Sequence, residues 1–366
     1  MSTNPKEFVV DLEFQDYFKE RIKQVFLYVT DDCNLNCVQC LYKPWLRRKG
    51  EIPEELALIV LARFRELGAI KLSLTGGEPT LYGCKNNYKQ LLSVIKRARD
   101  LGYEYIRLDT NGLFNADLLE REEFKLLDEI TFSIDSHIYE VNDALRGANS
   151  FGRSLANIIR AVDLEYKVDI TCCVHRENVG KDQSGNFLIE SMIRFAETIG
   201  VNRINFHPLF RMDIPRDGWA GETDISLESW LELYSEIRKK IDAGNYNIKI
   251  RIPQRFISQE EFKRNPAYYG FCPVKDGERV LVHSNGLIQV CALRIGTSYA
   301  IAMFDRQGIV WEEDINEINN FDLHESTPCT NQHRDFGGFV PLCISFKPKQ
   351  NEIVWRKELE WEKRRK

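Results

Sequence analysis

Residues 23–42 read KQVFLYVTDDCNLNCVQCLY. The run from Lys23 to Thr30 is rich in β-branched and aromatic residues and predicts a buried strand. Directly after it, Cys33, Cys37 and Cys40 share one short loop at C-x3-C-x2-C spacing. Further strand signals follow outward from this point: IKLSLT at Ile70, YEYIRLDT at Tyr103, EITFSI at Glu129, KVDITCCV at Lys167 and RINFHP at Arg203. Helical periods separate them, as where Leu56, Ile59, Val60, Phe64 and Leu67 recur with Arg63, Arg65 and Glu66 between them. Similar runs begin near Asn86, Ala116, Arg153 and Phe187. Strands alternating with helices imply right-handed crossovers and a parallel sheet, either an open doubly wound sheet or a full or partial barrel. Either arrangement places ligands at the carboxyl ends of the strands.

Bulk composition fits a globular chain. Of 366 residues, 43% are hydrophobic and 29% charged, which argues against disorder, collagen-like repeats and a coiled coil. The length predicts two compact units at the usual ~150 residues each. A net charge of -5 lacks the electrostatic footprint of a dedicated nucleic-acid binder. The start has no charged and apolar signal pattern, and no stretch approaches the ~18 apolar residues of a membrane span, so a cytoplasmic protein without a membrane partner is expected. Ten cysteines in a reducing compartment point to metal binding or catalysis rather than disulfides.

After Pro208 the pattern changes. SLESWLELYSEIRKKID, opening at Ser226, predicts a helix with charges suited to its dipole. From about Tyr268 the chain turns strand-like, and ERVLVH and LIQVCAL flank Ser284, Asn285 and Gly286, which predicts a hairpin with a type I′ turn. The boundaries that follow are an N-terminal extension over 1–22, an α/β unit over 23–250, a linker over 251–267, a small β-rich unit over 268–348 and a charged closing helix over 349–366. The basic end of that helix complements its own dipole; contact with an acidic partner is the alternative.

A structural zinc site takes four closed ligands, and iron-sulfur cubanes usually take four cysteines. Three cysteines on one loop leave one metal position open for a small molecule. The alternatives are three unrelated cysteines, or a zinc site completed from afar. A second motif, LSLTGGEPTL, closes the second strand with Gly76, Gly77, Glu78, Pro79 and Thr80. Paired glycines let backbone approach a ligand closely, and Glu78 offers an acceptor for an ammonium group. Together the two motifs resemble the radical S-adenosylmethionine (SAM) enzymes as far as residue 207. The resemblance implies a partial (β/α)6 barrel, a [4Fe-4S] cluster on Cys33, Cys37 and Cys40 that binds SAM at its open iron, and a GGE segment that holds the SAM amino group. Further motifs match in order: Thr110, Asn111 and Gly112 near the adenosyl group; Ser133, Ile134, Asp135 and Ser136 toward the ribose hydroxyls; and Leu145, Arg146 and Gly147, whose arginine pairs with the SAM carboxylate. Gln39 departs from the family, where the residue before the third cysteine is commonly aromatic and packs near the adenine; Tyr42 is a candidate substitute.

Four more cysteines, Cys272, Cys291, Cys329 and Cys343, lie in the C-terminal part, and the spacing from Gly286 to Cys291 resembles the opening of SPASM and twitch domains. The resemblance implies one auxiliary [4Fe-4S] cluster of the twitch form. A zinc site on the same thiolates, free cysteines in a β-rich core, and His324 or His333 as a replacement ligand are the alternatives. Cys84 lies in a polar loop and carries no role. In DITCCVHREN, alternation sends Thr171, Cys173 and His175 to one face and Ile170, Cys172 and Val174 to the other. Cys173 is therefore a candidate hydrogen-atom donor to a substrate radical, as in some epimerases of the superfamily, with plain packing as the alternative. Asn205, His207 and Arg211 are candidates for polar substrate contacts, with capping or structural roles as alternatives.

The resemblance implies an oxygen-sensitive oxidoreductase or epimerase fed by an electron donor such as flavodoxin or ferredoxin. About 22 residues precede the first strand, too few for a leader-binding domain, so a small-molecule substrate such as a sugar or aminocyclitol is expected. A peptide maturase is the enzyme alternative. An iron-sulfur electron carrier or sensor is the non-enzyme one, and it has no use for a SAM pocket.

Overall fold

A computed structural model of the protein describes residues 21–40, 42, 50–208, 210, 225–269, 277–291, 302–305, 308–311 and 336–343. The chain divides into two compact units. The first takes the described residues of 21–32, 50–106 and 277–311, and the second those of 33–42, 107–269 and 336–343.

In the first unit, β1 (Gln24–Thr30) pairs in parallel with β2 (Lys71–Gly76). Every residue of β2 is buried, as expected of a parallel strand covered on both faces. Helix α1 (Glu54–Glu66) buries Leu56, Val60, Leu61 and Phe64, and packs on α2 (Lys89–Asp100), which buries Leu91, Leu92, Val94 and Ile95. Acidic residues open α1 and basic ones close it, which suits the helix dipole.

The C-terminal hairpin joins this unit. Strand β9 (Arg279–Val282) runs parallel to β1, and β10 (Leu287–Gln289), β11 (Ala302–Asp305) and β12 (Gly308–Trp311) add antiparallel strands beyond it. The hairpin turn is not type I′, because Gly286 has φ +86° while Asn285 does not enter the left-handed region. Gly286 N–H donates to the His283 carbonyl at 2.8 Å and His283 N–H to the Leu287 carbonyl at 2.9 Å. This is the three-residue loop with a glycine bulge. A Cβ on Gly286 would stand 2.0 Å from the Phe304 carbonyl of β11, so close strand approach also requires glycine there.

In the second unit, β3 (Tyr105–Thr110), β4 (Glu129–Ser133), β5 (Val168–Val174), β6 (Arg203–Pro208) and β7 (Lys249–Arg251) lie side by side in chain order, all parallel. The first two residues of β3 belong to the first unit, where Tyr105 N–H donates to the Ile70 carbonyl. Strand β7 adds to the strands expected from sequence. Helix α3 (Tyr139–Arg146) leads into α4 (Ser150–Asp163), which packs on β4 and β5; α5 (Leu188–Thr198) packs on β6; and α6 (Leu227–Asp242) is the helix expected to open at Ser226, whose side chain caps it. The helix expected near Ala116 is instead two 3-10 turns, Ala116–Glu120 and Phe124–Leu126, separated at Arg121 by extended backbone. A further pair, β8 (Phe256–Ser258) with β13 (Phe339–Pro341), packs around Ile257, Val340 and Leu342. The protein is thus α/β with a mostly parallel sheet, and no helix among the described residues is long and apolar enough to cross a membrane. The closing helix expected over 349–366 lies outside the described residues.

Strand alternation sorts chemistry onto one face of the second unit. Even positions are mainly apolar, among them Leu108, Ile130, Phe132, Ile170, Ile204, Phe206 and Ile250. Odd positions are polar and fall in register across strands: Asp109, Thr131, Asp169, Arg203 and Lys249 form one row, Ser133, Thr171, Asn205 and Arg251 the next, and Cys173 and His207 the last. The lower part of this face is closed by a buried ion network. Glu129 takes Lys167 at 2.9 Å and Arg203 at 3.2 Å, and Arg203 also reaches Asp169 at 2.5 Å.

Candidate functional site

The cysteine loop leaves β1 through a bulge that shifts the register between Tyr28 and Thr30. Such a bulge re-aims the chain at a strand end. Thr30 Oγ1 holds it, donating to the Gly50 carbonyl at 3.1 Å and accepting from Asp32 N–H at 3.0 Å. The GGEP segment seats on this corner: Gly77 N–H donates to the Thr30 carbonyl and Glu78 N–H to the Asp32 carbonyl, both at 2.7 Å. A Cβ on Gly76 would stand 2.4 Å from the Thr30 oxygen, and one on Gly77 would stand 2.1 Å from the Asp32 oxygen. Both glycines are thus required by backbone approach within the protein. Glu78 is buried and its Oε1 accepts from Thr80 N–H at 3.1 Å and Thr80 Oγ1 at 2.6 Å, which fixes the carboxylate before Pro79 starts a 3-10 turn.

In the second unit the loop of Cys33, Cys37 and Cys40 is half-exposed. Asn111 Nδ2 donates to Asn34 Oδ1 at 2.7 Å and lies 3.8 Å from Cys33 Sγ, while Asn34 Nδ2 donates to the Leu113 carbonyl at 3.1 Å. Thr110 Oγ1 and Asn111 Oδ1 accept from Gly112 and Leu113 N–H, so the TNG turn is rigid in its own right. On the other side Val38 N–H donates to the Leu145 carbonyl at 2.8 Å, and Cys37 Sγ lies 3.7 Å from the Arg146 carbonyl. A cavity of about 480 Å³ opens between this loop and the end of α3, lined by Cys33, Leu35, Asn36, Val38, Arg146 and Gly147 among others. Tyr42, half-buried, follows just beyond Cys40.

Asp135 ties these parts together. Its Oδ2 accepts from Arg146 Nη1 at 2.9 Å and from Gln39 Nε2, and its Oδ1 accepts from Cys173 N–H at 2.8 Å. Its own N–H donates to Asn142 Oδ1 at 3.0 Å, and its carbonyl accepts from Asn178 Nδ2 at 2.9 Å. The side chains of Asp135 and Arg146 are 1% and 10% exposed, so this is a buried ion pair. Burial works against the Arg146 charge, but the Asp135 carboxylate beside it, and Cys37 as a thiolate, hold its pKa above the ordinary arginine value. Ser133, half-buried, sits at the carboxyl end of β4.

Cys172 is buried with its Sγ 3.4 Å from the Asp135 carbonyl, and Cys173 is half-buried on the polar face. Burial first, then the Asp135 charge, pushes both thiols well above the usual cysteine pKa, so both stay protonated. His175 does not join the polar face: it caps the short helix Arg176–Val179, its Nδ1 accepting from Glu177 N–H at 3.1 Å. Strand alternation ends at Val174, which is why counting by twos fails there. Asn34, on the cysteine loop, and Asn142 and Asn178, within helices, had no sequence signal beyond being polar.

Of the C-terminal cysteines, Cys291 is buried just past β10 and Cys343 is half-buried after β13. Cys272 and Cys329, like His324, His333 and Arg211, lie outside the described residues. Among the described residues no three His, Cys, Asp or Glu side chains converge closely enough for a single metal ion. A cubane spreads its thiolates over different irons, so a loop of three spaced, half-exposed thiols with an amide and a guanidinium beside them fits a cluster as its donor set.

Residues 27–184 match the radical SAM superfamily model. Over 305 residues the chain is 24% identical to a Saccharolobus solfataricus protein named "Probable GTP 3′,8-cyclase", covering 82% of this chain and 92% of the relative. A Sulfurisphaera tokodaii protein of the same name is 22% identical over 307 residues, covering 83% of this chain and 91% of that one. Among solved structures, Streptococcus suis SuiB bound to precursor peptide SuiA superposes with a TM-score of 0.58 at 15% identity, over 79% of this chain and 63% of that chain. Native anSMEcpe with bound AdoMet gives 0.56 at 16% identity, over 83% and 82%.

Proposed function

We infer, from a chain that carries a radical SAM domain over residues 27–184, that the protein cleaves SAM reductively and takes a hydrogen atom from a small-molecule substrate. The observation that carries this reading is the loop of Cys33, Cys37 and Cys40, clamped between Asn111 and the end of α3 beside a cavity. When bound there, a [4Fe-4S] cluster and SAM supply one-electron chemistry that ends in hydrogen abstraction from carbon.

The chain's own residues supply position and exclusion of water. Cys33, Cys37 and Cys40 would hold the cluster. Asn111, through Asn34, and the Leu145 carbonyl, through Val38 N–H, fix the loop that carries them, and Asn111 lowers the electron density on Cys33 by donating toward its sulfur. Gly76 and Gly77 lock the GGEP corner to β1, and Glu78 is proposed as the acceptor for the SAM ammonium group. Asp135 keeps Arg146 oriented for the SAM carboxylate. Ser133, Thr110, Asn111 and Tyr42 complete the proposed SAM seat. Cys173 keeps its proton, the state required of a hydrogen-atom donor in an epimerisation. Cys291 and Cys343, with Cys272 and Cys329, are proposed to hold one auxiliary [4Fe-4S] cluster. Flavodoxin or ferredoxin is the proposed class of electron donor.

The relatives are named for a reaction of GTP, a small molecule, and their match spans most of both chains, which supports a small-molecule substrate over a peptide. The test is 5′-deoxyadenosine formation by anaerobically reconstituted protein with SAM and a reductant, in heavy water, against small-molecule and peptide fractions of a host extract. Stimulation by the small-molecule fraction, lost in a Cys33, Cys37, Cys40 triple alanine variant, is the expected result. Product mass then separates loss of two hydrogens, cyclisation, and epimerisation with deuterium gained. Cleavage unchanged in the triple variant, or stimulation by the peptide fraction alone, would overturn the reading.

A further inference from the structure

Cys37, Val38 and Gln39 of the cysteine loop are each stitched to the end of α3 or to Asp135. Cys37 Sγ lies 3.7 Å from the Arg146 carbonyl, Val38 N–H donates to the Leu145 carbonyl at 2.8 Å, and Gln39 Nε2 donates to Asp135 Oδ2. The contact at Val38 is backbone, which almost any residue would supply. The contact at Gln39 depends on the side chain that stands between Cys37 and Cys40.

Gln39 is 5% exposed, and its Oε1 is buried with no hydrogen-bond partner among the described residues. An unpaired buried amide oxygen destabilises a fold, so burial alone would favour a hydrocarbon of the same length. What the amide contributes is its N–H. Facing a carboxylate it must donate, because its own oxygen would meet the Asp135 oxygen with no proton between them.

That donation bears on how Asp135 holds Arg146. Arginine and a carboxylate frequently pair through two parallel N–H bonds. Here Asp135 Oδ1 accepts from Cys173 N–H at 2.8 Å, and Oδ2 accepts from Gln39 Nε2 and from Arg146 Nη1, the latter at 2.9 Å. Arg146 is therefore held by one nitrogen. Its Nε and Nη2 make no hydrogen bond among the described residues, and Arg146 lines the cavity of about 480 Å³ beside the loop. A guanidinium anchored in this way keeps the Nε–Nη2 edge of its fork for a second oxyanion.

We propose that Gln39 is a positioning residue for Arg146: its donation to Asp135 keeps that carboxylate from closing on both prongs of the guanidinium, so that the Nε–Nη2 edge stays open for the carboxylate of SAM. The inference rests on the reading of Arg146 as the partner of the SAM carboxylate and goes beyond it by naming what sets that side chain's aim. The aim is set from the cysteine loop itself.

The test uses the full reconstituted chain without reductant, so that SAM stays intact and binding alone is read. SAM and decarboxylated SAM are titrated calorimetrically into wild type, Gln39→Met and Arg146→Gln, with stoichiometry referred to the iron content of each preparation. Methionine is unbranched like glutamine and has no donor to offer Asp135. The preference for SAM, the ratio of the two affinities, is expected to fall about tenfold in Arg146→Gln and about fivefold in Gln39→Met, while Gln39→Met binds decarboxylated SAM within about twofold of wild type. Equal weakening of both ligands in Gln39→Met, as a merely structural role would give, or an unchanged preference in that variant, would overturn the proposal. A preference unchanged in Arg146→Gln would fault the Arg146 reading on which the proposal stands, and a wild type that binds neither ligand would fault the SAM reading itself.

Discussion

Asp135→Asn is the most informative single substitution in the second unit. It keeps the shape of the side chain and removes one charge. The carboxylate it replaces is 1% exposed and meets the Arg146 guanidinium at 2.9 Å, Gln39 Nε2, and Cys173 N–H at 2.8 Å. An amide in its place must turn its NH₂ toward one of these donors, leaving at least one buried donor facing another. Arg146, 10% exposed on its side chain, would also keep a charge without its partner. Breaking a buried ion pair from one side costs about 3–5 kcal/mol. Against a typical total of about 5–15 kcal/mol, that is a large share. The assay is anaerobic urea unfolding of the chain without added iron, followed by tryptophan fluorescence and by circular dichroism to check that the two transitions coincide. Arg146→Gln and the double variant complete a cycle: the double variant is expected to lose less than the sum of the singles, because the second change removes the charge that the first left stranded. A loss below about 1 kcal/mol for Asp135→Asn, or additive singles, would refute the placing of Asp135 as the tie between the cysteine loop, α3 and β5.

The corner that carries the GGEP segment predicts a steric result. Gly77→Ala places a methyl 2.1 Å from the Asp32 carbonyl, and a loss of more than about 2 kcal/mol in urea unfolding is expected, whereas a value within about 0.5 kcal/mol would refute the close approach. For Asp169, burial first and then the Glu129 carboxylate push the pKa up to about 7 against Arg203 and Lys167. The folded state then holds a proton that the unfolded chain releases near pH 4, so this group's contribution is full below that value and fades as pH rises toward 7. Asp169→Asn is expected to flatten the fall in stability between about pH 4 and pH 7; an unchanged slope would contradict the raised value. Ser226 Oγ accepts from Ser229 N–H at 3.1 Å at the start of α6, so Ser226→Ala is expected to cost about 1 kcal/mol in thermal or urea unfolding.

Much of the architecture was legible because parallel strands and amphipathic helices announce themselves by period. The polar face shows it best: alternation along KVDITCCV and RINFHP already sorts Thr171, Cys173, Asn205 and His207 from their apolar neighbours. What failed was short or long-range. Strand β7 has only Lys249, Ile250 and Arg251, too few for any period, and exists because β6 offers it a partner. The stretch from Ala116 carries leucines enough for a helix, but Asn115 caps the first turn and Arg121 takes an extended conformation, so Leu118, Leu119 and Phe124 are buried by two separate turns. The Asn-Gly pair at the hairpin signalled a turn correctly and its type wrongly, since strand β11 crowds Gly286 and leaves Asn285 free of the left-handed region. The three cysteines and the glycine pair were visible as motifs. The role of Asp135 was not, because its partners lie 96, 11 and 38 residues away in the chain and only the fold brings them to one carboxylate.

The central claim is that Cys33, Cys37 and Cys40 hold a cluster that SAM reaches directly. Electron paramagnetic resonance of the anaerobically reconstituted and reduced full chain, with and without SAM, tests it with no need of the substrate. A reduced [4Fe-4S] signal that changes shape when SAM is added, and whose SAM-sensitive part disappears in the Cys33, Cys37, Cys40 triple alanine variant, is the predicted result. A signal indifferent to SAM, or one still sensitive to SAM in the triple variant, would contradict it.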